Sequence, residues 1–293
     1  MAIAESDRKL APVEKRHLLN VEQMARFVVD GYLEFDDLIP ADLNERALED
    51  ELTAVDDSGR KAEFAWHITD NKDGFFNYSD AIRQIHELPA VRGVLQSLLG
   101  PGYAQNHSAL HVTYPYQEEA QLWHVDSGGR RQVRLPGAHP YSFDILTAYF
   151  AHDVPYEMGP TLVLPGSHLR SMMGPDTGRY KNIKGQKRLA GKGGRICFLH
   201  EALWHCAQTN ETEQHRFMFK IRYNPRTEQR ATFNTDGWDN PEIRRYFLTN
   251  KDTHVLTGES AWVVGERARW WRYLCGAGEL ADPSGTGAHG DYN

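Results

Sequence analysis

The sequence predicts a mainly β protein with flanking helices, its strands arranged as a sandwich or barrel. Three observations lead there. Between Tyr103 and Tyr223, short β-prone runs recur with Gly, Pro and aromatic residues between them, a spacing that does not suit βαβ units. Before residue 100 and after residue 240, apolar residues fall at helical spacing instead. A length of 293 residues, 40% hydrophobic and 11% aromatic, suits one large domain, because β sandwiches and barrels reach this size undivided.

Taken in order, residues 1–19 are polar and expected to fray. Asn20 can cap a helix with Gln23 three residues on, placing Val21, Met24, Phe27 and Val28 on one face, and Gly31 is placed to end it. Tyr32–Phe35 is a short strand candidate. Pro40 opens a second helix carrying Leu43, Ala47, Leu48 and Leu52. Two more helical segments are expected from Ser79 to Leu99, broken at Pro89 and stopped by Gly100. Residues 1–102 thus form a helical N-terminal part without a chemical motif.

The strand candidates are Leu110–Tyr116, Gln121–Val125, Phe143–Phe150, Thr161–Leu164, Arg195–Leu199 and Phe217–Tyr223. Residues 224–282 read as a loop followed by helices at Glu242–Leu248 and Ser260–Leu274. The Gly-rich tail 283–293 is expected to be disordered. No repeat or low-complexity linker divides the chain, so 1–293 reads as a single domain.

A net charge of −7 gives no reason to expect a nucleic-acid partner. No apolar run approaches the roughly 18 residues of a membrane span, and the polar N-terminus has no signal-peptide core. Cys197, Cys206 and Cys275 are an odd count without close spacing, which reads as reduced thiols in a cytoplasmic protein. Oligomeric state is not legible.

Chemistry enters at Trp123-His124-Val125-Asp126. An imidazole and a carboxylate two residues apart on an extended strand share a face, which suits two ligands of one metal ion. A second histidine from a distant strand would complete the 2-His-1-carboxylate triad of non-haem Fe(II) oxygenases. His-x-Asp alone is weak evidence: with 14 His and 40 acidic residues it recurs by chance, as in His289-Gly290-Asp291 of the tail. The later segments carry more. Gly159-Pro160-Thr161-Leu162 leads into Pro165-Gly166-Ser167-His168. Leu203-Trp204-His205 is followed by Asn210 and by Arg216, eleven residues beyond the histidine.

In this order and spacing, over about residues 103–223, the motifs resemble the phytanoyl-CoA dioxygenase family of Fe(II)/2-oxoglutarate-dependent oxygenases. The resemblance implies a double-stranded β-helix (jelly-roll, cupin-like) core, with Fe(II), 2-oxoglutarate and O2 as its reagents. It places His124, Asp126 and His205 on the metal and Arg216 on the distal carboxylate of 2-oxoglutarate, whose geometry the guanidinium fork matches. Thr113 is the candidate for the keto-acid end. Two features depart from the family: Met158, where an Asn is common, and the long segment Gly128–Ser142.

Asp126 argues against a halogenase, in which a small residue replaces the carboxylate. The expected reaction is hydroxylation of an unactivated C–H of a small metabolite or natural-product intermediate, with desaturation or ring closure open in the same pocket. Arg130 and Arg131, just after the metal motif, are the candidates for an anionic group on that substrate, with His111 and Tyr116 lining the same cavity. The solvated-loop reading of these arginines stays open beside it. Among other histidines, His168 reads as structural and His200 as a weaker rival to His205. Cys206 and the Trp270-Trp271 pair read as core. The alternative from another class is a non-catalytic or isomerase-type cupin-like metal protein, which has no need of a guanidinium at the position of Arg216.

Overall fold

The first helix shows how local sequence sets the frame. In the computed structural model, which describes residues 12–63, 65, 74–126, 142–169, 182–248 and 257–277, α1 spans Val21–Asp30. Asn20 accepts from the Gln23 backbone N–H, and the Gln23 side chain answers the Asn20 N–H, a full capping box. Gly31 closes the helix in the left-handed conformation at φ 80°. After strand β1 (Tyr32–Phe35) come α2 (Ala41–Leu52), α3 (Gly74–Tyr78), α4 (Asp80–Glu87, capped by Ser79) and α5 (Pro89–Leu99).

The rest is β2 (Ala104–Thr113), β3 (Ile145–Phe150), β4 (Leu162–Val163), β5 (Lys187–Arg188), β6 (Arg195–His200), β7 (His205–Cys206) and β8 (Arg216–Asn224), then α6 (Pro241–Leu248) and α7 (Thr257–Leu274). The strands make two antiparallel sheets. One is five-stranded in the order β1-β6-β3-β8-β2, the other three-stranded in the order β5-β4-β7. Helices flank a double-stranded β-helix, as expected.

Alternation along each strand divides the core into layers. On the helix side of the large sheet, Phe217, Phe219, Ile221 and Tyr223 of β8 pack with Ile145, Tyr149, Ile196 and Phe198 against Met24, Phe27, Ile82, Leu95 and Trp270. The opposite face buries Leu146, Ala148, Phe150, Cys197, Leu199 and Met218 against Val163 and Leu203. On the far side of the small sheet, Trp123, Leu162, Leu164, Trp204 and Cys206 form a third cluster. Odd-numbered positions of β4 therefore face the space between the sheets, as do even-numbered positions of β8. Trp270, Trp271 and Cys206 are core, as read from the sequence.

The structure departs from the sequence reading in several places. Gln121–Val125 is not a strand: of these residues only His124 forms a bridge, to His205. A strand edge needs a partner of comparable length, and β7 offers only two residues. β2 starts six residues before the expected Leu110, with an irregularity between Gln105 and His107, because β8 is long enough to pair with all of it. α3, β5 and β7 are too short for periodicity to reveal. The segments 1–11, 127–141 and 278–293 lie outside the described residues. They include most of the Gly128–Ser142 segment and the whole 283–293 tail.

Gly31 gives a direct stability test. Its φ is positive, its N–H donates to the Phe27 carbonyl at 2.8 Å, and a Cβ there would run into the His168 imidazole. Gly31→Ala is expected to cost roughly 2–4 kcal/mol, combining backbone strain with overpacking. Urea unfolding followed by circular dichroism would measure it.

Candidate active site

The site is assembled by the small sheet and lined by the large one. His124 and His205 exchange both backbone hydrogen bonds, N–H to carbonyl at 3.0 Å in each direction. This brings their rings to a centroid separation of 4.3 Å. Each Nδ1 lies 2.9 Å from the carbonyl two residues earlier, Leu122 for His124 and Leu203 for His205. A carbonyl only accepts, so each Nδ1 carries the proton and each Nε2 keeps its lone pair. Metal-binding histidines are commonly oriented in this way. Burial lowers the His205 pKa to about 4 against the pull of Asp126, so this ring is neutral at neutral pH.

Asp126 completes the group from a turn, not from a shared strand face. Its N–H donates to the Glu201 carbonyl at 3.1 Å, and its Oδ1 lies 3.7 Å from His205 Nε2. Burial disfavours its charge, but the attraction of His205, Lys220 and His124 more than offsets this and brings its pKa to about 2. One ligand atom from each of the three residues lies within 4.8 Å of the others. Two imidazoles with free Nε2 and one carboxylate are the donor set of a facial Fe(II) triad, so these residues fit the metal.

On the same face of β8 as Lys220 stands Arg216. Its side chain is among the largest fully buried ones, and burial alone lowers its pKa, to about 10, leaving it charged. Nε and Nη2 donate to Thr113 Oγ1 at 3.1 and 2.6 Å, and Nη1 donates to Thr161 Oγ1 at 3.1 Å. Among the described residues no carboxylate pairs with it. A buried charge without a counterion is costly, which points to a ligand carboxylate as its missing partner. Thr113, expected near the keto-acid end, is found holding Arg216.

The motif residues beyond the triad prove to be the framing. Ser167 accepts from the Trp204 N–H at 2.9 Å, fixing the strand that carries His205. His168 is buried and donates from Nε2 to the Val28 carbonyl at 3.2 Å, tying the turn to α1. His200 faces the helices, stacked on Phe143, so it does not rival His205. Asn210 donates to the Tyr114 and Gln214 carbonyls at 3.1 and 2.7 Å and accepts from Thr212, pinning the loop that leads into Arg216.

Of the substrate candidates, His111 is on the cavity face of β2, two residues before Thr113. Burial first, then the Lys220 and Arg216 cations, hold its pKa near 3. Tyr116 is 66% exposed just beyond β2. Arg130 and Arg131 lie outside the described residues. Sequence reasoning missed Thr161, Lys220 and Arg222. Lys220 Nζ lies 2.8 Å from Asp126 Oδ2, and Arg222 pairs with Asp144 at 2.8 Å and Glu201 at 3.0 Å. The signal was present in Arg216-Phe-Met-Phe-Lys220-Ile-Arg222, where cations at even spacing interrupt an apolar strand.

The profile of the family described as phytanoyl-CoA dioxygenase (PhyH) matches residues 27–218, more than half of the chain and a range that includes His124, Asp126, His205 and Arg216. The chain belongs to the phytanoyl-CoA dioxygenase family. It is an iron- and 2-oxoglutarate-dependent oxygenase. L-proline trans-4-hydroxylase of Streptomyces griseoviridis is 25% identical over 214 residues, covering 61% of this chain and 73% of that protein. Among solved structures, EctD of S. alaskensis, with 2-oxoglutarate and 5-hydroxyectoine, superposes with a TM-score of 0.56 at 18% identity, covering 71% of this chain and 76% of that one. The non-heme alpha ketoglutarate dependent carbocyclase SnoK from nogalamycin biosynthesis gives 0.54 at 17% identity, covering 73% and 87%. At these identities the two structures support the fold. Among the described residues, no helix of this family member is long and apolar enough to cross a membrane.

Proposed function

We propose that this oxygenase hydroxylates an unactivated C–H bond of a small metabolite bearing an anionic group, and that it works in the cytoplasm. The observation that carries the co-substrate assignment is Arg216, buried, charged and without an acidic partner among the described residues, on the same strand face that presents Lys220 to the triad. His124, Asp126 and His205 would hold the iron, and Arg216 would pair with the distal carboxylate of 2-oxoglutarate. When bound, the metal supplies the redox chemistry that couples oxidation of 2-oxoglutarate to succinate and CO2 with oxygenation of the substrate.

The protein's own part is orientation and exclusion of water. Thr113 on β2 and Thr161 just before β4 hold the guanidinium, so its fork is fixed before the co-substrate arrives. Such preorganisation lowers the entropy cost of binding. Met218, between Arg216 and Lys220 on the cavity face of β8, keeps that wall apolar. The proline hydroxylase relative supports a small, carboxylate-bearing substrate. Arg130 and Arg131 follow closely on Asp126 in sequence and would meet that anion, with His111 in the cavity wall.

A cupin-like binding protein or isomerase would leave Arg216 without a purpose, and the guanidinium favours the oxygenase. A screen of anionic metabolites, with succinate and oxidised product followed by mass spectrometry, tests the reading. Arg130→Ala and Arg131→Ala are expected to raise the apparent KM for the substrate about tenfold or more, the loss of a charge-assisted contact. Substrate-free 2-oxoglutarate decarboxylation should stay nearly intact. Wild-type kinetics in both variants would remove the loop from the binding site.

A further inference from the structure

We propose that Lys220 is a positioning residue that keeps Asp126 a one-oxygen ligand, so that a coordination position stays open for 2-oxoglutarate. The proposal rests on the assignment of His124, Asp126 and His205 as the metal ligands. Its basis is that the two oxygens of Asp126 have different surroundings. Oδ1 faces the histidine pair, 3.7 Å from His205 Nε2, while Oδ2 forms an ion pair with Lys220 Nζ, 2.8 Å away.

The backbone cannot create this difference. Asp126 is anchored through its N–H to Glu201, and its carbonyl accepts from Arg222 Nη1 at 3.5 Å. Those contacts fix where the side chain starts. They leave free the rotation of the carboxylate about its last bond, which is broad and nearly two-fold. A carboxylate free to turn can present both oxygens to a divalent ion. A three-ligand face works by leaving three positions for a chelating co-substrate and dioxygen. Bidentate Asp126 would take one of them. The ammonium occupies Oδ2 and removes that option.

Structural stability alone does not explain this lysine. Its side chain is 12% exposed and that of Asp126 15%, so both charges are largely removed from water. Ion pairs so placed are weak stabilisers, and an apolar side chain would pack there at no loss. Met218, two residues earlier on the same face, does so. Lys220 is also flanked by cations whose side-chain partners lie elsewhere, Arg216 by the two threonines and Arg222 by Asp144 and Glu201, so of the three Lys220 is the one paired with the Asp126 carboxylate.

The test compares wild type, Lys220→Met and Lys220→Arg in the full chain under anaerobic conditions. Three affinities are measured: Co(II) or Fe(II) for the apoprotein, 2-oxoglutarate for the Fe(II)-loaded protein through its visible charge-transfer band, and 2-oxoglutarate for the metal-free protein by calorimetry. Lys220→Met is expected to bind metal at least as tightly as wild type, because a cation beside the site is gone. Its 2-oxoglutarate Kd on the loaded protein should rise about tenfold or more, with metal-free binding unchanged. Lys220→Arg, still able to donate to Oδ2, should restore most of the loss. Where the methionine variant does not fold, Lys220→Gln serves the same comparison.

Loaded-protein affinity within about twofold of wild type overturns the proposal. So does an equal loss in the metal-free protein, which would place the ammonium on the co-substrate itself. Parallel loss of metal and co-substrate would make the lysine structural and overturns it as well. Intact metal binding in Asp126→Ala strikes the ligand assignment instead, and the proposal with it.

Discussion

His205→Ala is expected to abolish metal-dependent turnover of 2-oxoglutarate, and His124→Ala to do the same, while the fold survives. Each imidazole is pre-set by one carbonyl to offer Nε2, and among the described residues only His124, Asp126 and His205 come together at metal-ligating distance. Two ligands from a three-ligand set leave a site that cannot hold the ion in a fixed geometry. The check is metal content after desalting, together with succinate production at saturating Fe(II). Removing the metal from wild type with a chelator should give the same null activity, recoverable on adding Fe(II) back. Full activity in either variant would refute the assignment.

Arg216→Leu is the second large effect, and its signs differ between function and stability. Losing one partner of a buried charge pair costs about 2–5 kcal/mol, so the apparent KM for 2-oxoglutarate should rise by at least about 30-fold. Iron affinity should change far less. Stability of the apoprotein should hold or rise, because leucine replaces a buried guanidinium that has no acidic partner among the described residues. Thermal unfolding separates these effects: 2-oxoglutarate should raise the melting temperature of iron-loaded wild type by mass action and leave that of the variant nearly unmoved. An equal loss of iron and co-substrate affinity would mean that Arg216 only holds the barrel together.

These experiments use residues named from sequence order alone, which indicates how much was legible. The helix α1 was readable to the residue, because Asn20, Gln23 and Gly31 act on their own neighbours. So was the set His124, Asp126, His205 and Arg216, because its spacing is peculiar to one chemistry. The strand drawn through Gln121–Val125 was not found. A two-residue partner cannot sustain a ladder there, and Asp126 is brought in by Glu201 and Lys220, residues distant in sequence.

The same distinction holds across the molecule. Capping, turns, alternation and motif spacing act within a few residues, so the sequence by itself determined the fold class, the α1 boundaries and the choice of His124, Asp126 and His205, which the fold brings together. What a side chain meets across the cavity depends on which strands pair and in what register. Thr113 lies opposite Arg216 because of the β2–β8 register, and Thr161 reaches it from the residue just before β4. Only the tertiary structure could decide that Thr113 holds the guanidinium, that Ser167 braces the strand carrying His205, and that Lys220 pairs with Asp126. Each is a contact between segments whose separation in the chain carries no record of their approach in space.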